Sequence, residues 1–171
     1  ENNGISDISL VENQLESQLI PDWQKGYARF MKLCKSAAES KVQIFVDAEE
    51  TWLQPAIDLM ATHAMEQLNH ERAWIFNTLQ MYRHDRLAYL QNQVAENKCK
   101  YGYKLVRGAY MEKERARAIE KGYASPIHID KASTDKDFND AALYCLQNID
   151  TIALLLASHN EESNLKIMTE M

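Results

Sequence analysis

Along the 171 residues, short continuous apolar runs rich in β-branched and aromatic residues alternate with longer stretches of helical spacing. Four runs read as strands: VQIFV (42–46), WIFNTL (74–79), YKLVR (103–107) and IALLLA (152–157). Their near-continuous apolarity predicts burial on both faces, as in parallel strands covered by crossover helices. Between them, helical stripes recur. After Pro21, the residues Trp23, Tyr27, Phe30, Cys34 and Ala37 form one stripe. Pro55 suits a first helical turn, and Ile57, Met60, Ala64 and Leu68 would face the sheet. Leu87, Leu90 and Val94 make a third stripe. Thr134 with Asp137 resembles a capping box for a helix burying Phe138, Ala142 and Cys145, and Asn160 before Glu161 and Glu162 caps a last one.

The order is helix, then strand and helix four times over, which predicts an α/β chain with a parallel sheet. No GxGxxG or GxxxxGK[ST] follows a strand, which favours part of a (β/α)8 barrel over a doubly wound sheet. A closed barrel takes about 250 residues and eight strands. The expectation is therefore a partial barrel of about four strands over residues 42–171, incomplete at both ends and preceded by a helical segment over 1–41.

Composition narrows the function. Hydrophobic residues make up 46% and charged residues 26%, which suits a packed domain. Nineteen Lys and Arg against 25 Asp and Glu give a net charge of −6, with the cations dispersed, so no surface is arranged for nucleic acid. Cys34, Cys99 and Cys145 lack zinc or disulfide spacing and read as buried thiols in a reducing compartment. No apolar run approaches a membrane span, and the N-terminal ENNGISDIS has no basic n-region or apolar h-region, so the chain reads as soluble or at most peripheral.

Chemistry in parallel α/β folds gathers at the carboxyl ends of strands. Here those ends carry Asp47-Ala48-Glu49-Glu50, Gln80-Met81-Tyr82, Arg107-Gly108-Ala109-Tyr110 and Ser158-His159-Asn160. One polar strand end means little, because every buried strand must surface somewhere; four together point to a shared site. Asp47, Glu49 and His159 could supply a metal, but no second histidine stands at a strand end and no metal is expected. His63 and His70 lie in a polar stretch that reads as solvated surface, and His84 and His128 in loops. No Ser or Cys sits in a nucleophile elbow. Gly108 and Ala109 allow a backbone to approach a flat ligand, with Tyr110 as a wall. Strand parity sends Lys104 and Val106 one way and Leu105 and Arg107 the other, and Lys104 is the cation expected to face the barrel interior.

Five segments in register, VDAEETWLQPAI, IFNTLQMY, KLVRGAYMEKERARA, GYASPIH and ASHNEESN, resemble the proline dehydrogenase family over about the last three quarters of the chain. The resemblance implies a distorted (β/α)8 barrel that holds FAD at its strand ends and oxidises L-proline to Δ1-pyrroline-5-carboxylate, passing electrons to a membrane quinone. By the same resemblance Asp47 lies at the proline site and Tyr110 lies between substrate and flavin. Gln80, Lys104, Val106, Gly108 and Ala109 surround the flavin ring, and Lys131 and His159 contact the rest of FAD. Some members have Arg in place of Lys104 and Trp in place of Met111. The family's first-strand lysine and paired arginines, which grip the proline carboxylate, have no counterpart here, so the chain is expected to carry mainly the flavin side of the site. The charged run from Glu112 to Arg117 is expected to be a solvated helix face. The implied location is cytoplasmic or peripheral to the inner membrane in a bacterium, and the mitochondrial inner membrane or matrix in a eukaryote. Two further readings stand beside this one: a non-catalytic fragment that buries its open sheet by self-association, and a metal-dependent barrel hydrolase using Asp47, Glu49 and His159.

Overall fold

A computed structural model describes residues 8–171; the first seven, part of the expected 1–41 segment and of the ENNGISDIS stretch, lie outside the described residues. Four parallel strands form one sheet in chain order: β1 (Ile44–Val46), β2 (Ile75–Gln80), β3 (Tyr101–Val106) and β4 (Ile152–Leu156). In register, Val46 faces Asn77, Asn77 faces Tyr103, and Tyr103 faces Leu154. Sequential order with parallel pairing is what right-handed strand–helix–strand crossovers produce when each returns the chain beside the strand it left.

A short helix α1 (Ser9–Glu12) precedes α2 (Ile20–Glu39), which carries Pro21 in its first turn and buries Cys34 and Ala37. The crossovers are α3 (Gln54–Leu68), α4 (Arg86–Ala95) and the pair α5 (Met111–Lys121) and α6 (Lys131–Gln147), with α7 (Glu161–Glu170) after β4. The third crossover thus holds two helices, one over the charged run from Glu112 to Arg117 and one over the stripe of Phe138, Ala142 and Cys145. Gly122, in the left-handed conformation, closes α5.

The core lies on one face of the sheet. Ile75, Leu79, Tyr101, Tyr103, Leu105 and Ile152 project into it and meet Met65, Leu90, Phe138, Ala142 and Cys145 from the helices. The opposite face carries Phe45, Phe76 and Leu155, and of these Phe45 and Leu155 are each 39% exposed. Burial on both faces therefore holds for all six residues of β2 but not for the outer strands β1 and β4.

Three local expectations are corrected. On α3 the buried face consists of Gln54, Asp58, Ala61, Thr62, Ala64 and Met65, while Ile57 and Met60 are half-buried. Asp58 turns inward because it accepts hydrogen bonds from Gln54 Nε2 (2.8 Å), Asn77 Nδ2 (2.8 Å) and Arg86 Nη1 (2.6 Å). Burying a carboxylate is permitted when its lone pairs are this fully used. The cap of α6 is Asp130, whose carboxylate accepts from Ser133 N at 2.7 Å; Thr134 lies inside the helix and bonds back to the Asp130 carbonyl. His63 is half-buried, packed edge-on against Tyr27 with ring centroids 5.8 Å apart, and not simply solvated. Asn160 caps α7 through Ser163 N (2.9 Å), as the sequence suggests.

Candidate active site

At the carboxyl ends of β1, β2 and β3 a cavity of about 410 Å³ is lined by Asp47, Ala48, Glu49, Thr78, Gln80, Lys104, Val106, Arg107, Gly108, Ala109 and Tyr110. Strand alternation explains the membership: Thr78 and Gln80 on β2 stand beside Lys104 and Val106 on β3, in register. Seven residues singled out from the sequence, Asp47, Gln80, Lys104, Val106, Gly108, Ala109 and Tyr110, meet here. Lys131 and His159 line a neighbouring cavity of about 240 Å³ with Arg107, Ala157, Ser158 and Asn160. Arg107 borders both.

The polar groups of the larger cavity are held from below. Gln80 Nε2 donates to the Glu49 carbonyl at 2.7 Å, which leaves Gln80 Oε1 buried without a partner. Thr78 Oγ1 is likewise buried and unpartnered. Two such atoms lining one cavity are unusual, since buried polar atoms are almost always paired. At the mouth, Lys104 Nζ donates to Asp47 Oδ1 at 2.6 Å, with the carboxylate largely exposed and the lysine mostly covered. Tyr110 donates its hydroxyl to Glu49 Oε2 at 2.6 Å, and this bond, before any burial, pushes the Tyr110 pKa up.

Gly108 adopts φ +134°, a conformation side chains avoid, and a Cβ there would lie 2.6 Å from the Tyr82 ring. The glycine is thus required by Tyr82 beneath it. Tyr82 is buried, and burial, followed by the nearby Glu114, raises its pKa to about 12.

The β1–α3 loop that carries Asp47 and Glu49 is fastened to α5 by residues whose role the sequence pattern does not reveal. Glu114, fully buried, accepts from Thr51 N and Thr51 Oγ1, both at 2.7 Å. Lys113 pairs with Glu50, and the Arg117 guanidinium lies 4.1 Å from the Trp52 ring centroid. The run from Glu112 to Arg117 is therefore not a solvated face throughout: Glu114 is a core carboxylate, buried because a loop 63 residues away supplies its donors. A capping pattern would find Glu114 in the first turn of α5, but its partner is set by tertiary structure.

Asp47, Glu49 and His159 do not converge: Asp47 is paired with Lys104, Glu49 with Tyr110, and His159 belongs to the other cavity. Among the described residues no group of three or more His, Cys, Asp or Glu side chains is placed to hold a metal ion. No helix among them is long and apolar enough to cross a membrane.

These features have relatives. The sequence model of the family described as proline dehydrogenase matches residues 2–171. Hydroxyproline dehydrogenase from Xenopus laevis is 39% identical over 151 residues, covering 84% of this chain and 32% of that protein. Mitochondrial proline dehydrogenase 2 from Arabidopsis thaliana is 36% identical, covering 82% of this chain and 31% of its own length. Human mitochondrial proline dehydrogenase 1 is 38% identical over 77% of this chain and 23% of that protein. The chain thus spans less than two fifths of the length of these relatives. A crystal structure of proline utilization A from Bdellovibrio bacteriovorus, inactivated by N-propargylglycine, superposes with a TM-score of 0.77 at 22% identity, over 83% of this chain and 15% of that one. That likeness makes the four strands and their crossovers an arc of a (β/α)8 barrel. A match to the family's sequence pattern over residues 2–171, on a sheet whose strand ends gather three of the five family-like segments into one cavity, places the chain in the proline dehydrogenase family.

Proposed function

We propose that this chain forms the flavin-holding part of a barrel that oxidises L-proline to Δ1-pyrroline-5-carboxylate, with FAD as cofactor and a membrane quinone as electron acceptor. The observation that carries the reading is the pair of unpartnered buried atoms, Thr78 Oγ1 and Gln80 Oε1, in a cavity beside a glycine-bearing strand end. A ring system with hydrogen-bonding edges suits such atoms, and FAD when bound supplies an acceptor for the hydride leaving the substrate.

The protein's own groups then have definite tasks. Because Gln80 Nε2 is engaged by Glu49, its free Oε1 is an acceptor, suited to an imide N–H. Asp47 takes one of the three donors of Lys104, and the others remain for an electron-rich ligand edge. Positive charge held there favours ligand states that gain negative charge, and it does so without reorganisation. Val106, Gly108 and Ala109 give the ring an apolar, close-approach wall. Tyr110, oriented by Glu49, stands at the rim, where it can cover the substrate side. Asp47, neutralised by Lys104, orients that lysine and borders the space for the proline amine. Lys131 and His159 line the second cavity, which would take the remainder of FAD. The groups that hold the proline carboxylate belong to the rest of the barrel, and alone this chain would bind FAD weakly and turn over little.

Relatives named as mitochondrial support a mitochondrial setting if the source is a eukaryote; in a bacterium the reading is cytoplasmic or peripheral to the inner membrane. The test is dye or quinone reduction by the full-length protein carrying its flavin, with L-proline and hydroxyproline compared, since one relative is named for the latter. Proline-dependent turnover that falls at least tenfold in Gln80→Leu, together with loss of flavin, is expected. Bound flavin without turnover on either substrate contradicts the reading.

A further inference from the structure

Arg107 immediately follows β3, and its guanidinium makes more directed contacts than any group of the cavity it borders. Nε donates to Asp135 Oδ1 on α6 at 2.6 Å, Nη1 to Ser158 Oγ beyond β4 at 2.7 Å, and Nη2 to Ser163 Oγ on α7 at 2.9 Å. Its flat face lies 4.3 Å from the centroid of the fully buried Phe138 ring. One side chain thus joins the end of β3 to three other elements. A guanidinium can do this because its donors diverge in a rigid plane, whereas an ammonium on a flexible stem cannot hold three fixed directions and a stack at once.

The partners of Arg107 lead to the second cavity. Asp135 also pairs with Lys131, so the position of that lysine is tied to Arg107 through one shared carboxylate. Ser158 Oγ accepts from Arg107 and from Asn160 N (3.1 Å), which uses both its lone pairs and leaves its hydroxyl proton to be donated. Ser158 immediately precedes His159, and both line that cavity. Arg107 and Lys131 against Asp135 leave a net positive charge at the wall.

We propose that Arg107 is a positioning residue that locks Lys131 and the Ser158–His159 loop into one rigid, donor-rich wall for the anionic, non-ring part of the cofactor. The inference rests on the flavin reading above and adds to it a division of labour: the ring is held by the groups on β2 and β3, and the remainder by a wall that Arg107 assembles.

The division gives a test that a merely structural role would not pass. FAD and riboflavin are titrated by fluorescence onto the full-length protein freed of flavin, riboflavin having the ring without the anionic part. In Arg107→Met the FAD dissociation constant should rise tenfold or more while that of riboflavin changes less than twofold, and Arg107→Lys should fall between Met and the parent. Should Arg107→Met fail to fold, Ser163→Ala carries the test, because Ser163 is buried behind the wall and 2% exposed; a threefold loss for FAD alone is expected. FAD affinity unchanged, or equal losses for both ligands, overturns the proposal. If the parent protein binds neither ligand, it is the flavin reading itself that fails, and the inference falls with it.

Discussion

Lys104 and Asp47 close an ion pair of 2.6 Å across the mouth of the cavity, although Lys104 is on β3 and Asp47 follows β1, with β2 between them. The lysine is 21% exposed and the carboxylate 73%, so the pair is solvated on the acid side and its intrinsic contribution to stability is small, about 0–1 kcal/mol. Its importance is in directing the ammonium. Lys104→Met should leave the melting temperature nearly unchanged while lowering proline-dependent turnover of the full-length protein about 10- to 100-fold. Asp47→Asn should have a smaller effect, because the amide oxygen can still accept from Lys104. A Lys104→Met enzyme with parental turnover would remove Lys104 from the site.

Two glycines are fixed by what lies against them. A Cβ at Gly102 would fall 2.5 Å from the Ile75 carbonyl oxygen, a backbone atom that cannot move aside without breaking sheet register. At Gly108 the clash is with the Tyr82 ring and φ is +134°. Gly102→Ala and Gly108→Ala should each cost about 1–3 kcal/mol or more, read by chemical denaturation. Gly108→Ala combined with Tyr82→Leu should recover part of the loss, as Gly102→Ala with the same partner should not.

Removing Glu114 should loosen the loop bearing Asp47. Glu114→Leu leaves the Thr51 amide and hydroxyl without their acceptor, a loss of about 1–3 kcal/mol. Glu114→Gln keeps one acceptor and should lose less than half as much. Protease cleavage between residues 47 and 53 should quicken in the Leu variant; if it does not, the latch to α5 is not what orders this loop.

The buried cluster between α3 and α4 separates two kinds of ion pair. Asp58 and Arg86 are both nearly inaccessible, and Asp58→Ala should cost about 3–5 kcal/mol because it strands buried donors on Arg86, Asn77 and Gln54. Asp85 is half-exposed. Burial pushes its carboxyl up, but the hydrogen bonds and charges of Arg86 and Arg83 outweigh that and bring it down to about 2. In the unfolded chain such a carboxyl titrates near 3.9. Its contribution is therefore complete above about pH 4 and disappears as pH falls through about 2. Asp85→Asn should destabilise at pH 7 by about 1 kcal/mol or less, given solvent screening, and should flatten the acid limb of the stability profile. An unchanged acid limb would mean that Asp85 is not selectively paired in the folded state.

The strands were legible because burial against a sheet demands continuous apolar runs; each of the four lies within about two residues of where such a run begins or ends. The convergence of Asp47, Gln80, Lys104 and Tyr110 followed from the rule that parallel strands bring their carboxyl ends together. What stayed hidden were polar groups buried by distant partners. Asp58 faces the sheet because Asn77 and Arg86, 19 and 28 residues away, satisfy it, and Glu114 is buried because Thr51 does the same from 63 residues away. Periodicity treats both as solvent-facing charges. Parity puts Arg107 on the side of β3 opposite Lys104, but its three partners lie on elements whose spacing no local pattern encodes.

The most direct measurement is an anaerobic absorbance titration of the full-length protein with L-proline. Bound FAD should lose its visible absorption as proline is added and regain it when a quinone is supplied. Flavin that remains oxidised at saturating proline and hydroxyproline, or a protein that binds no flavin at all, would contradict the proposed function.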